Sequence, residues 1–366
     1  MRRKALILIL FTFLKSALAF PCPALHPDTI DSRLFLYAKN TPADITQDID
    51  KLVNYLKQPS AGKKNIVKTF SYWIMQNISY DISGFLNDVY NTEGIKGTLR
   101  NKKGVCQDYS ELFKAMCDRA GIRCYVITGY AKSFNYKPGD RFTRSNHSWN
   151  VVCLDSTYML MDLTWSSGCL RYVDDQWRYF INPDISQIFT APEAFVENHL
   201  PSDPQWQLLT HPVSMNAFMK FDTYRDMQRD PSGYFNFADS IRSFEKLDKE
   251  AQDLKLADNA FRFYPVMLDY AYHYYNQAVN CSNEAIDQYN AAVTSYNKSI
   301  TDTGTPIASG DYNRTMVSSA INNFNKAVRL LSKISSFSDN QISAPNLLER
   351  CHMGLDATNE LMKLLK

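Results

Sequence analysis

The stretch that decides the fold is GVCQDYSELFKAM, residues 104–116. Its apolar side chains recur at the spacing of one helix face, and Gly121 follows where such a helix would end. The stretch therefore predicts a tight turn that delivers Cys106 onto the first turn of a helix. A cysteine there is exposed to the positive end of the helix dipole and to unpaired backbone N–H groups, so its thiolate is favoured. Cys106 is a candidate nucleophile, although many cysteines are simply buried and inert.

A nucleophile needs a base, and two segments further along the chain supply candidate partners for Cys106. NHSWNVV, residues 146–152, carries His147 at the start of a predicted strand, and YMLMDLTW, residues 158–165, carries Asp162 near the end of the next. The two segments predict a β-hairpin with a two-residue turn, which brings both side chains to its open end. The carboxylate could then hold the far nitrogen of the imidazole and fix its tautomer. The three residues in this order predict a Cys-His-Asp triad.

The segments GVCQDYSELF, HSWNVV and LMDLTW resemble three motifs of the transglutaminase-like superfamily, whose papain-like fold uses these three residues. The chain is most similar to the kyphoscoliosis-peptidase-like branch of cysteine peptidases, found in bacteria and animals. The resemblance covers roughly residues 31 to 221. It implies an α+β core in which helices pack on an antiparallel sheet, with catalytic Cys106, His147 and Asp162 and no cofactor. Three further stretches carry it: WIMQNISYD at 73–81, YF at 179–180, and the segment from HLP at 199–201 to WQLL at 206–209.

Three aromatic residues are candidates for substrate binding. The resemblance implies that the segment ending near Tyr80 packs beside the site, so Tyr80 could line the pocket or could be an ordinary buried tyrosine. Trp149 and Trp165 flank the His147 and Asp162 positions in the sequence. They could shield the pair from water and contact a substrate, or they could be plain core packing, and both interpretations stay open.

The implied chemistry is acyl transfer from an amide. The thiolate attacks the carbonyl carbon, the backbone N–H of Cys106 and an unidentified second donor stabilise the oxyanion, and His147 protonates the leaving amine. Water would release the thioester as an acid, which is peptidase or amidase chemistry, whereas a lysine amine would give a transglutaminase crosslink. No acidic cluster resembles the calcium sites of animal transglutaminases, so we favour the hydrolase. The substrate would be a protein or peptide, with cell-wall peptides one candidate, and a non-catalytic interaction scaffold is the alternative of another class.

The first residues predict export. Arg2-Arg3-Lys4, an apolar centre and Ala17-Leu18-Ala19 form a signal peptide over residues 1–19. The apolar run is shorter than the ~20 residues that a bilayer span requires. The mature chain should therefore begin near Phe20, without an integral membrane segment, and be secreted or periplasmic. The formal net charge of +2 gives no electrostatic case for nucleic acid.

The eight cysteines are scattered along the chain, which predicts neither a zinc framework nor any other metal site. Cys117, Cys124 and Cys153 lie in apolar segments and are expected to be small core residues. An exported protein can form disulfides, but the connectivity cannot be derived from the spacing.

Residues 20–230 are predicted to form the transglutaminase-like cysteine peptidase domain. Within them, Leu34–Tyr37 is expected to be extended, Lys63–Asn77 an amphipathic helix and Arg123–Tyr130 a strand. Lys132–Arg144 is expected to be a mobile loop that gates the site, and the prolines within Thr190–Gln207 predict a linker.

Residues 231–366 are predicted to form an all-α helical domain, because glycine nearly vanishes and the apolar pattern becomes helical. Ala285-x3-Tyr289-x2-Ala292 recurs 35 residues on as Ala320-x3-Phe324-x2-Ala327. That spacing is close to the tetratricopeptide period of about 34 residues. Any helical hairpin packed through small residues would show the same pattern, so both interpretations stay open. This domain could bind a protein partner.

Overall fold

The computed structural model forms two compact units. The first comprises Met1–Lys137 and His147–His199, and the second comprises Pro138–Asn146 and Leu200–Lys366. The predicted signal peptide lies outside the described residues. The sequence predicted two separately folding domains with a boundary at residue 230, and this boundary stays a prediction. The structure describes residues 30–87, 89–133, 136–228, 233–265, 268–303, 310–335, 337–338 and 342–365.

The first unit has helices on an antiparallel sheet, which confirms the predicted α+β class. Its core is formed by apolar side chains of the helices and of the central strands. The helices are α1 (Ser32–Lys39), α2 (Ile49–Leu56), α3 (Lys63–Asn77), α4 (Ile82–Asn87), α5 (Ile95–Asn101), α6 (Cys106–Arg119), α7 (Leu163–Ser167) and α8 (Pro192–Phe195). The strands are β1 (Ser79–Tyr80), β2 (Lys103–Gly104), β3 (Cys124–Ala131), β4 (His147–Leu154), β5 (Thr157–Met161), β6 (Gly168–Val173), β7 (Gln176–Ile181), β8 (Ile188–Thr190) and β9 (His199–Pro201).

The main sheet has the strand order β8-β5-β4-β3-β9, and β6 and β7 form a separate hairpin. Strand β4 is the central strand and pairs antiparallel with both β3 and β5. The predicted hairpin of β4 and β5 is confirmed. Its turn residues Asp155 and Ser156 have φ values of 48° and 67°, the left-handed conformation of a two-residue type I′ turn.

Two predictions about the first unit's chain course are wrong. Leu34–Tyr37 is helical, because Asp31 accepts from the Leu34 N–H at 3.2 Å and caps α1, whose Leu34 and Ala38 share one buried face. The segment 190–207 is no linker, since it contains β9 and its side chains are largely buried. Pro192 and Pro204 instead begin short helices, where the missing N–H costs nothing, and Pro201 ends β9.

The loop before His147 belongs to the second unit and is anchored there, contrary to the predicted mobile gate. Phe142 packs on Phe218, with ring centroids 5.9 Å apart. Asp269 Oδ2 accepts from both the backbone N–H and the hydroxyl of Ser145, at 2.8 and 2.7 Å. These contacts fix the chain two residues before the histidine.

The second unit is helical, as predicted. Its longest helices pack antiparallel, since Lys333 lies over the ring of Tyr274 while Asn323 donates to Gln288 at 3.2 Å. The helices are α9 (Met215–Lys220), α10 (Tyr224–Met227), α11 (Phe237–Phe244), α12 (Lys249–Phe263), α13 (Leu268–Thr303), α14 (Gly310–Ser332) and α15 (Ala344–Leu364). None of the described helices combines the length and apolar character that a membrane span requires.

The 35-residue sequence repeat arises from a helical hairpin packed through small residues. Helix α13 alone has 36 residues, longer than a whole tetratricopeptide unit. Along its buried face an alanine recurs every seventh residue, and 35 residues is five such heptads. The small side chains let α13 and α14 approach closely. The buried alanines are Ala271, Ala278, Ala285 and Ala292 on α13, and Ala320 and Ala327 on α14.

Candidate active site

Cys106 is the first residue of α6, as the sequence predicts, and the turn before it is built for that position. Asp108 Oδ2 accepts from the Val105 N–H at 2.8 Å, and its other oxygen accepts from Asn91 at 3.1 Å. A Cβ on Gly104 would lie 2.4 Å from the Asp108 Cβ, so only glycine fits there. The carboxylate therefore fixes the turn and the start of the helix.

The thiol of Cys106 lies close enough to the imidazole of His147 to interact with it electrostatically. His147 is the first residue of β4, and its Nε2 lies 2.8 Å from Asp162 Oδ2. Because Nε2 faces the carboxylate, Nδ1 is the nitrogen left for the thiol. Of the free cysteines that the structure describes, Cys106 is partly exposed and the other five are buried. The structure thus brings the three predicted triad residues together.

Side-chain hydrogen bonds lock α6 against β4 on either side of this contact. Ser148 donates its hydroxyl to Gln107 Oε1 at 2.7 Å, and these two residues directly follow the histidine and the cysteine. One turn further along, Asn150 Nδ2 donates to the Ser110 carbonyl at 3.0 Å. The helix carrying the thiol and the strand carrying the imidazole are therefore held in fixed register.

Asp162 is wholly buried and ends β5 rather than continuing it. Its Oδ1 accepts from the backbone N–H groups of Thr164, at 2.8 Å, and Trp165, at 3.1 Å, as the N-cap of α7. The predicted strand to Thr164 therefore stops at Met161, because the aspartate side chain starts a helix there. The two cap bonds orient the carboxylate so that Oδ2 faces the imidazole.

A second histidine shares the carboxylate, and the sequence did not assign it a role. His199 Nε2 lies 3.0 Å from Asp162 Oδ2, and its Nδ1 lies 2.5 Å from Asn198 Oδ1. Its ring stacks on Phe195 at 4.2 Å and also contacts Trp165. The sequence signal that could have identified His199 was the HLP segment. This segment carries the family resemblance and has a histidine within an otherwise apolar stretch.

The charges of the group follow from burial and from the shared carboxylate. Burial acts to lower the pKa of His147, but Asp162 and the Cys106 thiol outweigh it and raise that pKa to about 10. Burial acts to raise the pKa of Asp162, yet its two histidine partners hold it well below its usual range. For His199 burial dominates and lowers the pKa. At neutral pH the site therefore holds an imidazolium at His147, a carboxylate, and a neutral His199.

The three candidate substrate-binding residues, Tyr80, Trp149 and Trp165, differ in burial and in the side chains that surround them. Tyr80 lies in β1 near Cys106, and its ring neighbours Phe85 and Tyr179 at 6.0 and 6.4 Å. Trp165 is half-buried, 5.6 Å from the His147 ring.

Trp149 is wholly buried. Its ring packs edge-on against Phe195 at 5.7 Å and contacts His199 at 5.2 Å. Of its two interpretations the structure favours core packing behind the histidines, because no part of the side chain is open to a substrate.

The His147, Asp162 and His199 side chains are also the group that could hold a metal, with ligand atoms within 4.8 Å of one another. A tetrahedral site with ligands about 2.0 Å from the ion would keep those atoms roughly 3.3 Å apart. The observed separations of 2.8 and 3.0 Å instead fit two N–H groups donating to one carboxylate oxygen. The group fits hydrogen bonding better than metal ligation.

Part of the chain is similar in sequence to known proteins. Residues 50–163 match the model of the transglutaminase-like superfamily. Kyphoscoliosis peptidase of Mus musculus is 32% identical over 211 residues, which is 56% of this chain and 31% of that protein. Lim and transglutaminase domain protein ltd-1 of Caenorhabditis elegans is 28% identical over 218 residues, 54% of this chain and 28% of that protein. The chain thus spans less than a third of the length of either relative.

Among solved structures, one described as a TGase gives a TM-score of 0.26 at 14% identity, covering 38% of this chain and 35% of that chain.

Proposed function

We propose, from the match of residues 50–163 to the transglutaminase-like superfamily model, that the protein is an exported cysteine peptidase or amidase. It would transfer the acyl group of a protein or peptide amide to water through a thioester. The observation that carries the proposal is the buried 2.8 Å contact between His147 Nε2 and Asp162 Oδ2, with the Cys106 thiol close enough to interact with the same imidazole. The name of the mouse relative, a peptidase, supports the same reaction class.

In the first half-reaction the Cys106 thiolate attacks the carbonyl carbon, and a C–S bond forms while the oxygen takes the negative charge. The backbone N–H of Cys106, at the start of α6, points one donor at that oxyanion. The imidazolium of His147 then gives its Nδ1 proton to the leaving amine as the C–N bond breaks. Asp162 keeps the ring oriented by holding Nε2–H.

In the second half-reaction the neutral His147 takes a proton from water, and the resulting hydroxide attacks the thioester. The C–S bond breaks, the acid leaves, and the thiolate–imidazolium pair is restored. Asp162 retains its charge throughout, because four N–H groups point at its two oxygens.

Tyr80 is our candidate for the second oxyanion donor. Its side chain lies close enough to Cys106 to interact electrostatically, and its hydroxyl has no hydrogen-bond partner among the described residues. A phenol donor in a half-buried site adds to the backbone donor without any change of protonation. Tyr80→Phe should therefore lower kcat more than it changes KM.

The test is a peptide substrate followed by mass spectrometry in ¹⁸O-water, with and without an added primary amine. A hydrolase incorporates one ¹⁸O into the acid product and forms little amide, whereas a transglutaminase diverts most of the acyl group to the amine. Cys106→Ala is the matched control and should form neither product. Turnover by Cys106→Ala would refute the mechanism, and no turnover by wild type together with no thiol labelling would favour the scaffold alternative.

Export is the second part of the proposal and rests on the first 19 residues. N-terminal sequencing of the protein recovered from a secreting host should give a chain that starts near Phe20. Recovery of the uncleaved chain inside the cell would contradict it. Cell-wall peptides and proteins are both candidate substrates, and supplying each to the enzyme distinguishes them.

A further inference from the structure

Five large apolar side chains are exposed on the first unit where α4 contacts β7. Four lie on α4 and the residues after it, and one lies on β7. Because successive strand residues point to opposite faces, Ile181 shares its face of β7 with Tyr179, whereas the exposed Phe180 lies on the other face. We call these five side chains the apolar patch: Phe85 (45% exposed), Leu86 (59%), Val89 (68%), Tyr90 (51%) and Ile181 (48%).

Tyr80 connects the apolar patch to the nucleophile. Its ring lies 6.0 Å from Phe85 on one side and 6.4 Å from Tyr179, which shares its strand face with Ile181, on the other. The same side chain interacts electrostatically with both Tyr90 and Cys106. The patch therefore begins at the reactive thiol and extends away from it.

A paired charge lies beside the patch. Lys103 Nζ lies 2.8 Å from Asp81 Oδ1, next to Tyr80 in the chain. Paired charges give little selection for an acidic or basic ligand, and a surface that binds lipid headgroups usually carries unpaired lysine or arginine at its edge.

We propose that the apolar patch is the substrate-specificity surface of this enzyme and binds a large aromatic or aliphatic side chain of the residue next to the amide that Cys106 attacks. The inference rests on the proposed function. Exposed apolar surface of this extent marks an interaction site, and its continuity with Cys106 through Tyr80 makes the substrate its occupant. A second copy seated on the same residues would cover the thiol.

The test measures how fast Cys106 is alkylated by a matched set of peptidyl acyloxymethyl ketones, with Phe, Leu, Ser or Lys next to the reactive carbonyl. Iodoacetamide, which has no side chain to recognise, gives the reference rate for the same thiol. We expect the Phe and Leu probes to react at least about tenfold faster than the Ser and Lys probes after this normalisation, because burying their side chains adds apolar contact.

Leu86→Ser and Ile181→Ser should remove most of the preference while leaving the iodoacetamide rate unchanged. Both side chains are exposed, so the fold should tolerate the change. Tyr172→Ser is the matched control, because Tyr172 is equally exposed but lies at the far end of the β6–β7 hairpin, against Trp177. It should leave the preference intact.

Each result decides the inference. Equal probe rates with normal iodoacetamide labelling would overturn it while leaving the proposed function standing. If neither reagent labelled Cys106, the proposed function would fail and the inference with it. A dimer in solution that dissociates on Leu86→Ser would assign the patch to a second copy and also overturn the inference.

Discussion

His199 and Asp162 are joined by a buried contact of 3.0 Å between Nε2 and Oδ2, although they are 37 residues apart in the chain. The same oxygen accepts from His147, so one carboxylate oxygen is held by two imidazole N–H groups. Hydrogen bonds to an ionised acceptor are stronger than neutral ones. Asp162 is thereby held by a second donor besides His147.

We expect His199→Phe to lower kcat by roughly 10- to 100-fold, from the ~1.5–3 kcal/mol of a hydrogen bond to a charged group. The phenyl ring keeps the stack on Phe195 but removes one donor from Asp162. His199→Gln is the control, because its amide can still donate to the carboxylate. The acid limb of the pH–rate profile should move to higher pH in the Phe variant, since Asp162 protonates more readily. Identical profiles in both variants would make His199 a packing residue.

Substitutions within the triad should rank by role. Cys106→Ala should abolish turnover, and His147→Ala should be nearly as severe, because both the ion pair and the leaving-group acid are lost. In a serine triad the Asp-to-Asn exchange costs about 10⁴-fold. We expect a large but smaller loss for Asp162→Asn, whose remaining oxygen still caps α7. Melting temperatures should stay near wild type, and a fully active Asp162→Asn would assign the orienting role to another residue.

Cys106 should be the first thiol that iodoacetamide labels in the native protein. It is the partly exposed one among the free cysteines described, and it lies beside a protonated imidazole. Peptide mapping after short exposure at mildly acidic pH gives the order of reaction. His147→Ala should slow labelling of Cys106 without affecting the buried cysteines. Uniform labelling of all thiols would contradict the assignment.

The His147–Asp162 pair should stabilise the fold in a defined pH window. The pKa of His147 is raised from its ordinary 6.5 to about 10, so its contribution is full below 6.5, declines as pH rises, and is lost above about 10. Asp162 has a lowered pKa, so its contribution is present above its ordinary 3.8 and lost as pH falls. The free energy of unfolding in urea, compared between wild type and His147→Gln across this pH range, measures the contribution of the pair. A difference that grows between pH 7 and pH 10 would contradict this sign.

The anchor of the loop before His147 should be visible in hydrogen exchange. Asp269 accepts both the N–H and the hydroxyl of Ser145, so Asp269→Asn exchanges a charged acceptor for a neutral amide. We expect the Ser145 amide to exchange about tenfold faster, which corresponds to ~1.4 kcal/mol of local opening. Asp287→Asn, on an exposed part of the same helix, is the control. Unchanged protection at Ser145 would mean that the other loop contacts hold the segment by themselves.

Local patterns in the sequence were enough for the elements that carry the triad. Helix α3, helix α6 and the β4–β5 hairpin lie where the sequence predicted them. The prediction used the periodicity of apolar residues, the positions of glycines and the length of the turn. The proximity of His147 to Asp162 then follows from the hairpin, because a short hairpin brings the open ends of its two strands together.

The secondary structure of short apolar runs could not be predicted from the local sequence. Leu34–Tyr37 fits a strand or a helix equally well, and the Asp31 cap settled it as a helix. Likewise, alanines every seventh residue fit repeats or a long hairpin until the length of α13 is known.

The sequence by itself determined where Cys106, His147 and Asp162 lie, the residues that we propose as nucleophile, base and orienting carboxylate. Only the tertiary structure decided that His199 shares Asp162, that Trp149 lies behind the histidines, and that Asp269 holds the loop, 124 residues from Ser145. Such contacts join residues far apart in the chain, and no local periodicity encodes them. They form because a buried carboxylate must collect donors from whichever segments the packed core brings beside it.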